Sequence, residues 1–136
     1  MKSSIKIIAA VIPMALSTIL FSSFQQPAKP WVVPDNFLKV VNPEKADQKS
    51  YKEGKELYMK HCQSCHGKTG LGDGSKAAQL KSEPGNFSLA SFQKQSDGSL
   101  YYKITEGRND MPSFKKKLAD SEDMWELVNY IRTLKK

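Results

Sequence analysis

Cys62-Gln63-Ser64-Cys65-His66 is the stretch of this 136-residue chain whose residue types and spacing bear most directly on chemistry. Two thiols three residues apart, with an imidazole directly after the second, form the attachment signature for a c-type haem. Each thiol can add across one porphyrin vinyl group and leave a thioether, while the imidazole of His66 reaches the iron. Two intervening residues make one turn, which sets both sulfurs along a single porphyrin edge. Other chemistries fit less well. A zinc ion normally takes four Cys or His ligands, and His61, Cys62, Cys65 and His66 are crowded into too short a stretch to surround a tetrahedral ion without strain. A thioredoxin-like dithiol needs a preceding strand and a helix opening at the first Cys, whereas the residues before Cys62 read as helix. A plain disulfide between Cys62 and Cys65 stays open.

Iron bound by His66 needs a second axial partner if it is to shuttle electrons without binding a substrate. A thioether is soft and uncharged, favours Fe(II) and raises the potential relative to a second nitrogen donor. Beyond the N-terminal stretch the methionines are Met59, Met111 and Met124. Met59 precedes Cys62 on the same helix and cannot easily swing over the ring, and Met124 falls on the apolar stripe of the last helix. Met111 is left, in a loop far enough beyond His66 for the chain to wrap from one haem face to the other, with Pro112 fixing the backbone behind it. His61 is a weaker axial candidate and reads as an ordinary helix residue. With both axial positions filled the reaction is outer-sphere electron transfer through the porphyrin edge. No paired carboxylates or Ser-His-Asp set suggest an enzyme instead. Arg108 reads either as a propionate partner or as a surface arginine.

The elements that must position these residues are helical. From Ser50 the pattern Tyr51, Gly54, Leu57, Tyr58, His61 has helical spacing, with Ser50 and Glu53 as a capping box, and this helix delivers Cys62. Gly54 costs about 1 kcal/mol inside a helix, which makes sense where another backbone crosses. Gly67, Gly70, Gly72 and Gly74 mark a loop suited to close passage of main chain. It, or the segment near Pro84, should supply a carbonyl for the far nitrogen of His66, since a metal-bound histidine normally has such a partner. Asp97 caps a helix with Leu100, Tyr101 and Ile104 inward, ended by Gly107. The last helix starts at Asp120 or Ser121 and turns Met124, Leu127, Val128 and Ile131 inward, with Trp125, Tyr130 and Leu134 widening the face.

Composition bounds the rest. There are 21 basic and 14 acidic residues, a formal charge of +7, which favours a redox partner with an acidic docking surface, and Lys115, Lys116 and Lys117 are a candidate rim. The alternative is a solvated lysine-rich surface. The lysines are spread without a nucleic-acid motif, so no nucleic acid is expected. Both cysteines of the chain lie in the motif, so there is no disulfide framework. The folded part, about 90 residues, is a single domain with a thin core that a buried macrocycle would supplement.

Residues 1–24 read as a signal peptide or N-terminal anchor, with Lys2 and Lys6 before the apolar run Ile7 to Phe21. This predicts export to the periplasm or the outer face of the cytoplasmic membrane, with membrane association through the N-terminal segment as one form. No Cys follows to carry a lipid. Residues 25–48 hold Pro27, Pro30, Pro34 and Pro43 and read as an extended arm, apolar enough from Trp31 to Val41 to lie against the domain or a partner. Residues 49–136 form the expected haem domain.

From about Tyr51 to Leu134 the chain resembles the monohaem class I cytochrome c family. The likeness rests on Gly54-Lys55-Glu56-Leu57-Tyr58, Cys62 to Gly67, Gly70-Leu71-Gly72-Asp73-Gly74, Asp97-Gly98, Ile104-Thr105-Glu106-Gly107, Met111-Pro112-Ser113-Phe114 and Trp125-Glu126-Leu127-Val128-Asn129-Tyr130-Ile131-Arg132. The resemblance implies an all-α, small cytochrome c-like fold wrapped around one haem c. It makes Cys62 and Cys65 the thioether links, His66 the proximal ligand and Met111 the distal one, and has the first and last helices cross at Gly54 and Tyr130. Ser75 departs from the proline that many relatives carry after the Gly-Asp-Gly loop. The expected function is an exported one-electron carrier. The alternatives are a haem-bearing subunit of a larger membrane respiratory complex or oxidoreductase, and a haem enzyme whose distal ligand is labile.

Overall fold

Asp120 accepts from the Glu122 amide and starts α6 (Ser121–Thr133), with Glu122 and Asp123 at its positive end. This helix turns Met124, Leu127, Val128 and Ile131 into the core together with Trp125 and Tyr130. Leu127 and Val128 are wholly enclosed, and each burial of this kind contributes about 1.5–3 kcal/mol. The computed structural model describes residues 30–136, so the signal peptide or anchor expected at 1–24 and the first part of the arm lie outside the described residues.

Helix α6 packs against α2 (Gln48–His61). The sequence pattern puts the cap of α2 at Ser50. In the structure Asp47, in extended conformation, is the cap and accepts from the Ser50 amide. Ser50 lies one turn in, where its hydroxyl accepts from Nδ2 of Asn129 at 2.8 Å. The two helices cross at Gly54: a Cβ there would run into the Glu126 carbonyl oxygen and stand 2.9 Å from Cβ of Tyr130. The close approach explains why a glycine is kept inside a helix, and it falls on the pair that the resemblance implies.

The remaining elements are short: α1 (Asp35–Leu38), α3 (Gln63–His66), a 3-10 turn (Ala77–Gln79), α4 (Ala90–Gln93) and α5 (Asp97–Glu106). Among the described residues no strand forms beyond a single bridge between Arg108 and Met111, so the architecture is all-α. No helix among them is long and apolar enough to cross a membrane. Ser96, not Asp97, caps α5, its hydroxyl accepting from the Ser99 amide at 3.2 Å. Asp97 is instead taken by Arg132 of α6, whose Nε and Nη2 donate to Oδ1 at 2.9 and 2.6 Å. Leu100 and Ile104 are buried, and the Tyr101 ring stacks on Trp125 at 4.2 Å.

The proline-rich arm is not simply extended. Pro34 stands at the start of the single turn α1, a position where its missing N–H costs nothing. Phe37 packs on Tyr102 of α5 at 4.9 Å. Further on, Nδ2 of Asn42 donates to the Trp125 carbonyl and to Oδ1 of Asn129. Asn129, buried in α6, also donates to the Glu44 carbonyl, so one side chain ties the arm, α2 and α6 together. Val32 and Val41 stay outside, each 80% exposed.

Glu126 should make the helix crossing pH-sensitive. Burial raises its pKa from 4.5 to about 7, assisted by a hydrogen bond with Glu53, by that residue's charge and by Glu122. Lys49, 3.8 Å from Glu53 and 3.9 Å from Glu122, pulls the other way. The folded value lies above the unfolded one, so the stabilisation is full below pH 4.5 and is lost as pH rises through 7. Denaturant midpoints of the loaded protein are expected to fall from about pH 5 to about pH 8, and Glu126→Gln should flatten that slope.

Candidate functional site

Helix α2 runs directly into the thiol turn. The Cys62 amide donates to the Tyr58 carbonyl at 2.8 Å, and the Cys65 and His66 amides both donate to the Cys62 carbonyl, at 3.1 and 2.9 Å. Cys62, Cys65 and His66 therefore share one turn, as their spacing predicts. The glycine loop then folds back over it. Amides of Lys76, Gly74 and Gly72 donate to the carbonyls of Ser64, Cys65 and His66 at 2.8, 3.2 and 2.9 Å, satisfying groups that a helix end leaves open. Tyr58, wholly buried, donates its hydroxyl to the Gly67 carbonyl at 2.7 Å, and burial pushes its phenol above the ordinary range, so it stays a donor.

Cys62 and Cys65 form no disulfide. Burial, and then the neighbouring Cys65, pushes Cys62 up to about 12. A redox dithiol needs the opposite shift. Among the described residues no group of three or more His, Cys, Asp or Glu is gathered to hold a metal ion. The His61 ring stands edge-on to Phe114 at 6.0 Å.

The His66 ring lies 4.4 Å from that of Phe87, which stacks in turn on Phe92 at 4.5 Å. Burial lowers its pKa to about 4, so the imidazole is neutral at neutral pH and keeps a lone pair for a metal. Its Nδ1 is buried without a hydrogen-bond partner. The Pro84 backbone raises the affinity of the ring for a proton, and since proline has no N–H the group responsible is its carbonyl. A metal on the other ring nitrogen would fix the proton on Nδ1. A neutral, half-buried histidine whose buried Nδ1 has no partner fits a haem iron.

Met111 closes a tight turn in which the Arg108 amide donates to the Met111 carbonyl at 2.8 Å and the Met111 amide donates back at 2.9 Å, with Asn109 left-handed at φ 53°. The loop hangs from the end of α5 through Ser113 Oγ to the Thr105 carbonyl at 2.6 Å and the Phe114 amide to the Ile104 carbonyl at 3.2 Å. Met111 is half-buried against the core. Met124 is engaged elsewhere, its buried sulfur accepting from Thr105 Oγ1 at 3.2 Å. Met59 packs half-buried on α2.

Gly107 lets the turn sit there. At φ 67° it is left-handed, and a Cβ would stand 2.5 Å from the Met111 carbonyl oxygen and from Ser113 N. Gly107→Ala is expected to cost about 1–2 kcal/mol in backbone strain and a further ~1–3 kcal/mol in crowding, read as a lowered melting temperature. Gly85→Ala, left-handed at φ 77° with nothing within 4 Å of its Cβ, should show the strain alone.

Some contacts at the site have no counterpart in the sequence reading. Oδ2 of Asp110 accepts from the amides of Lys81 and Ser82. The Trp31 ring lies 4.6 Å from the Arg108 guanidinium and 5.5 Å from Nζ of Lys103, so the arm touches the turn that carries Met111. Lys115, Lys116 and Lys117 are exposed, with Lys115 paired to Glu106 at 3.4 Å.

A helical chain with two thiols and a neutral histidine on one turn, and a separate methionine loop, is the arrangement of a monohaem class I c-type cytochrome, an electron carrier. A family model described as "Cytochrome C oxidase, cbb3-type, subunit III" matches residues 49–131, and the chain belongs to that family. Membership brings covalently bound haem c, with its iron, as the cofactor. Among solved structures, the chain is similar to one from the Kuenenia stuttgartiensis reducing HAO-like protein complex Kustc0457/Kustc0458, with 28% identity and a TM-score of 0.64. That match covers 79% of this chain and 50% of the other, so this chain spans half of that relative's length. It is also similar to the KustC0563 c-type cytochrome, with 32% identity over 61% of this chain and 98% of the other and a TM-score of 0.52. A mutant of Kustc0563 matches at 30% identity over 61% and 99%, with a TM-score of 0.51. No curated protein matches the chain.

Proposed function

We propose that this cytochrome is an exported one-electron carrier whose haem is attached through Cys62 and Cys65 and whose iron is held by His66 and Met111. Bound haem supplies the exchange between Fe(III) and Fe(II). The chain's part is to fix the two sulfurs on one turn, keep His66 neutral and oriented, and present one uncommitted thioether. The observation that carries the reading is the state of His66: half-buried and neutral at the end of the thiol turn, with its Nδ1 enclosed and without a partner. Met111 follows because the sulfur of Met124 is already an acceptor for Thr105 and Met59 belongs to the helix that enters the thiol turn.

Export is supported by the basic start and apolar run of residues 1–24, and places the carrier in the periplasm or at the outer face of the cytoplasmic membrane. Residues 49–136 are the haem domain in this reading. The exposed lysines at 115–117 form the rim for an acidic partner, a contact weakened by salt. A redox-titrated optical spectrum of protein made with a haem-attachment system tests the reading. A single one-electron step with an iron–sulfur charge-transfer band in the oxidised form supports it, and a spectrum without that band contradicts the Met111 assignment.

A second reading is favoured by one observation. The similarity to the HAO-like complex covers 79% of this chain, more than residues 49–136 alone provide, whereas that to KustC0563 covers 61%. Part of the arm is therefore included in the larger likeness. A haem subunit that presents Val32 and Val41 of the arm to a partner protein accounts for this. Size-exclusion chromatography of native material separates the two readings: a free carrier elutes as a monomer, a subunit with its complex.

A further inference from the structure

The Asp110 carboxylate joins two loops that come from separate parts of the chain and flank the two candidate ligands. On one side it sits next to Met111, in the turn closed by the Arg108–Met111 bridge. On the other, its Oδ2 accepts from the Lys81 amide at 2.9 Å, the Ser82 amide at 3.2 Å and the Ser82 hydroxyl at 3.3 Å. Lys81 and Ser82 lead into the segment from Pro84 to Phe87, which is fastened to the loop that follows His66 by the Phe87 amide donating to the Gly70 carbonyl at 2.7 Å. One oxygen thus gathers three donors across 28 or 29 residues of sequence.

We propose that Asp110 is a positioning residue for the distal thioether: it clamps the Met111 turn to the Pro84 segment and so holds the two ligand loops in fixed relation. The proposal rests on the His66 and Met111 ligation given above. Its physical basis is the division of labour along the loop. Past Met111 the chain is fastened to α5 by Ser113 and Phe114. Before Met111 the Asp110 clamp fastens it to the proximal side, with Arg108 lying over Trp31. Amide bonds to a carboxylate are charge-assisted and stronger than neutral ones. The clamp is partly exposed, which moderates its strength. Its removal leaves the α2–α6 core untouched, so it should loosen Met111 without unfolding the domain.

The test uses the full chain loaded with haem and compares wild type with Asp110→Ala, Asp110→Asn and Met111→Ala. Two quantities are measured at neutral pH on the oxidised protein: the rate of cyanide binding and the temperature at which the iron–sulfur band is lost, the latter set against global melting by circular dichroism. Asp110→Ala is expected to keep the band when cold, to bind cyanide about tenfold faster, and to lose the band well before the fold melts. Asp110→Asn, whose amide oxygen still accepts from both backbone amides, should stay within about threefold of wild type. Cyanide binding by Asp110→Ala at the wild-type rate, or loss of the band only in step with global melting, overturns the proposal. A wild-type protein without the band, or a Met111→Ala protein that keeps it, overturns the ligand assignment and the clamp together. Should Asp110→Ala fail to load haem, Ser82→Ala removes one of the three donors. About a twofold acceleration then supports the clamp, and an unchanged rate opposes it.

Discussion

Gly54→Ala is expected to destabilise the loaded protein by about 3 kcal/mol or more, lowering its melting temperature by roughly 12–24 °C for a domain of this size. Two effects oppose each other. Alanine is the better helix former and would gain about 1 kcal/mol in an exposed helix. Here its methyl would overlap the Glu126 carbonyl oxygen and press on Tyr130 at 2.9 Å. Main chain on both sides cannot step aside, so the helices must separate. Separation uncovers Tyr58, Leu127 and Val128, all wholly buried. It also pulls on the turn that follows α2, where both thiols lie, so less haem should be loaded per chain. Thermal melts of the loaded protein check the first effect, and the ratio of haem absorbance to protein checks the second. An Ala variant that melts with wild type would mean that the crossing is looser than this packing.

Met111→Ala is expected to abolish the iron–sulfur charge-transfer band of the oxidised protein and to open an iron position to cyanide. The reduction potential should fall by on the order of 0.1–0.3 V, within the roughly 0.8 V that axial ligation spans. The sign follows from the thioether, which favours Fe(II). The size of the drop separates the three described methionines. Met124→Leu removes the acceptor of the Thr105 hydroxyl and should cost up to about 3 kcal/mol of stability while leaving the band intact. Met59→Leu should change neither. Potentiometry and the oxidised spectrum of the three variants decide the matter, and survival of the band in Met111→Ala sinks the assignment.

What the sequence made legible is local. The thiol turn, the helix stop at Gly107, the apolar stripe of α6 and the odd glycine in α2 each rest on a few adjacent residues or on one period, and the structure reproduces them. The cap of α2 is different, because Asp47 and Ser50 are both good caps and lie close together. Tertiary context chose between them by giving Ser50 to Asn129. That partner is 79 residues away, and no periodicity announces it. The same holds for Asn42 and Asn129, and for Glu126, a carboxyl set within an apolar stripe. In the arm, proline count argued against helix, but Pro34 stands just before the turn it precedes, where no helical hydrogen bond needs its N–H. Asp110 was invisible for a simpler reason: two of its three donors are main-chain amides, which every sequence supplies.

Intact-mass measurement of protein purified from a host that attaches haem covalently is the most direct test of the central claim. The result expected is one polypeptide carrying the mass of one haem, with Cys62 and Cys65 both blocked to alkylation before and after reduction. A chain of unmodified mass whose two thiols react freely with the alkylating agent would contradict it.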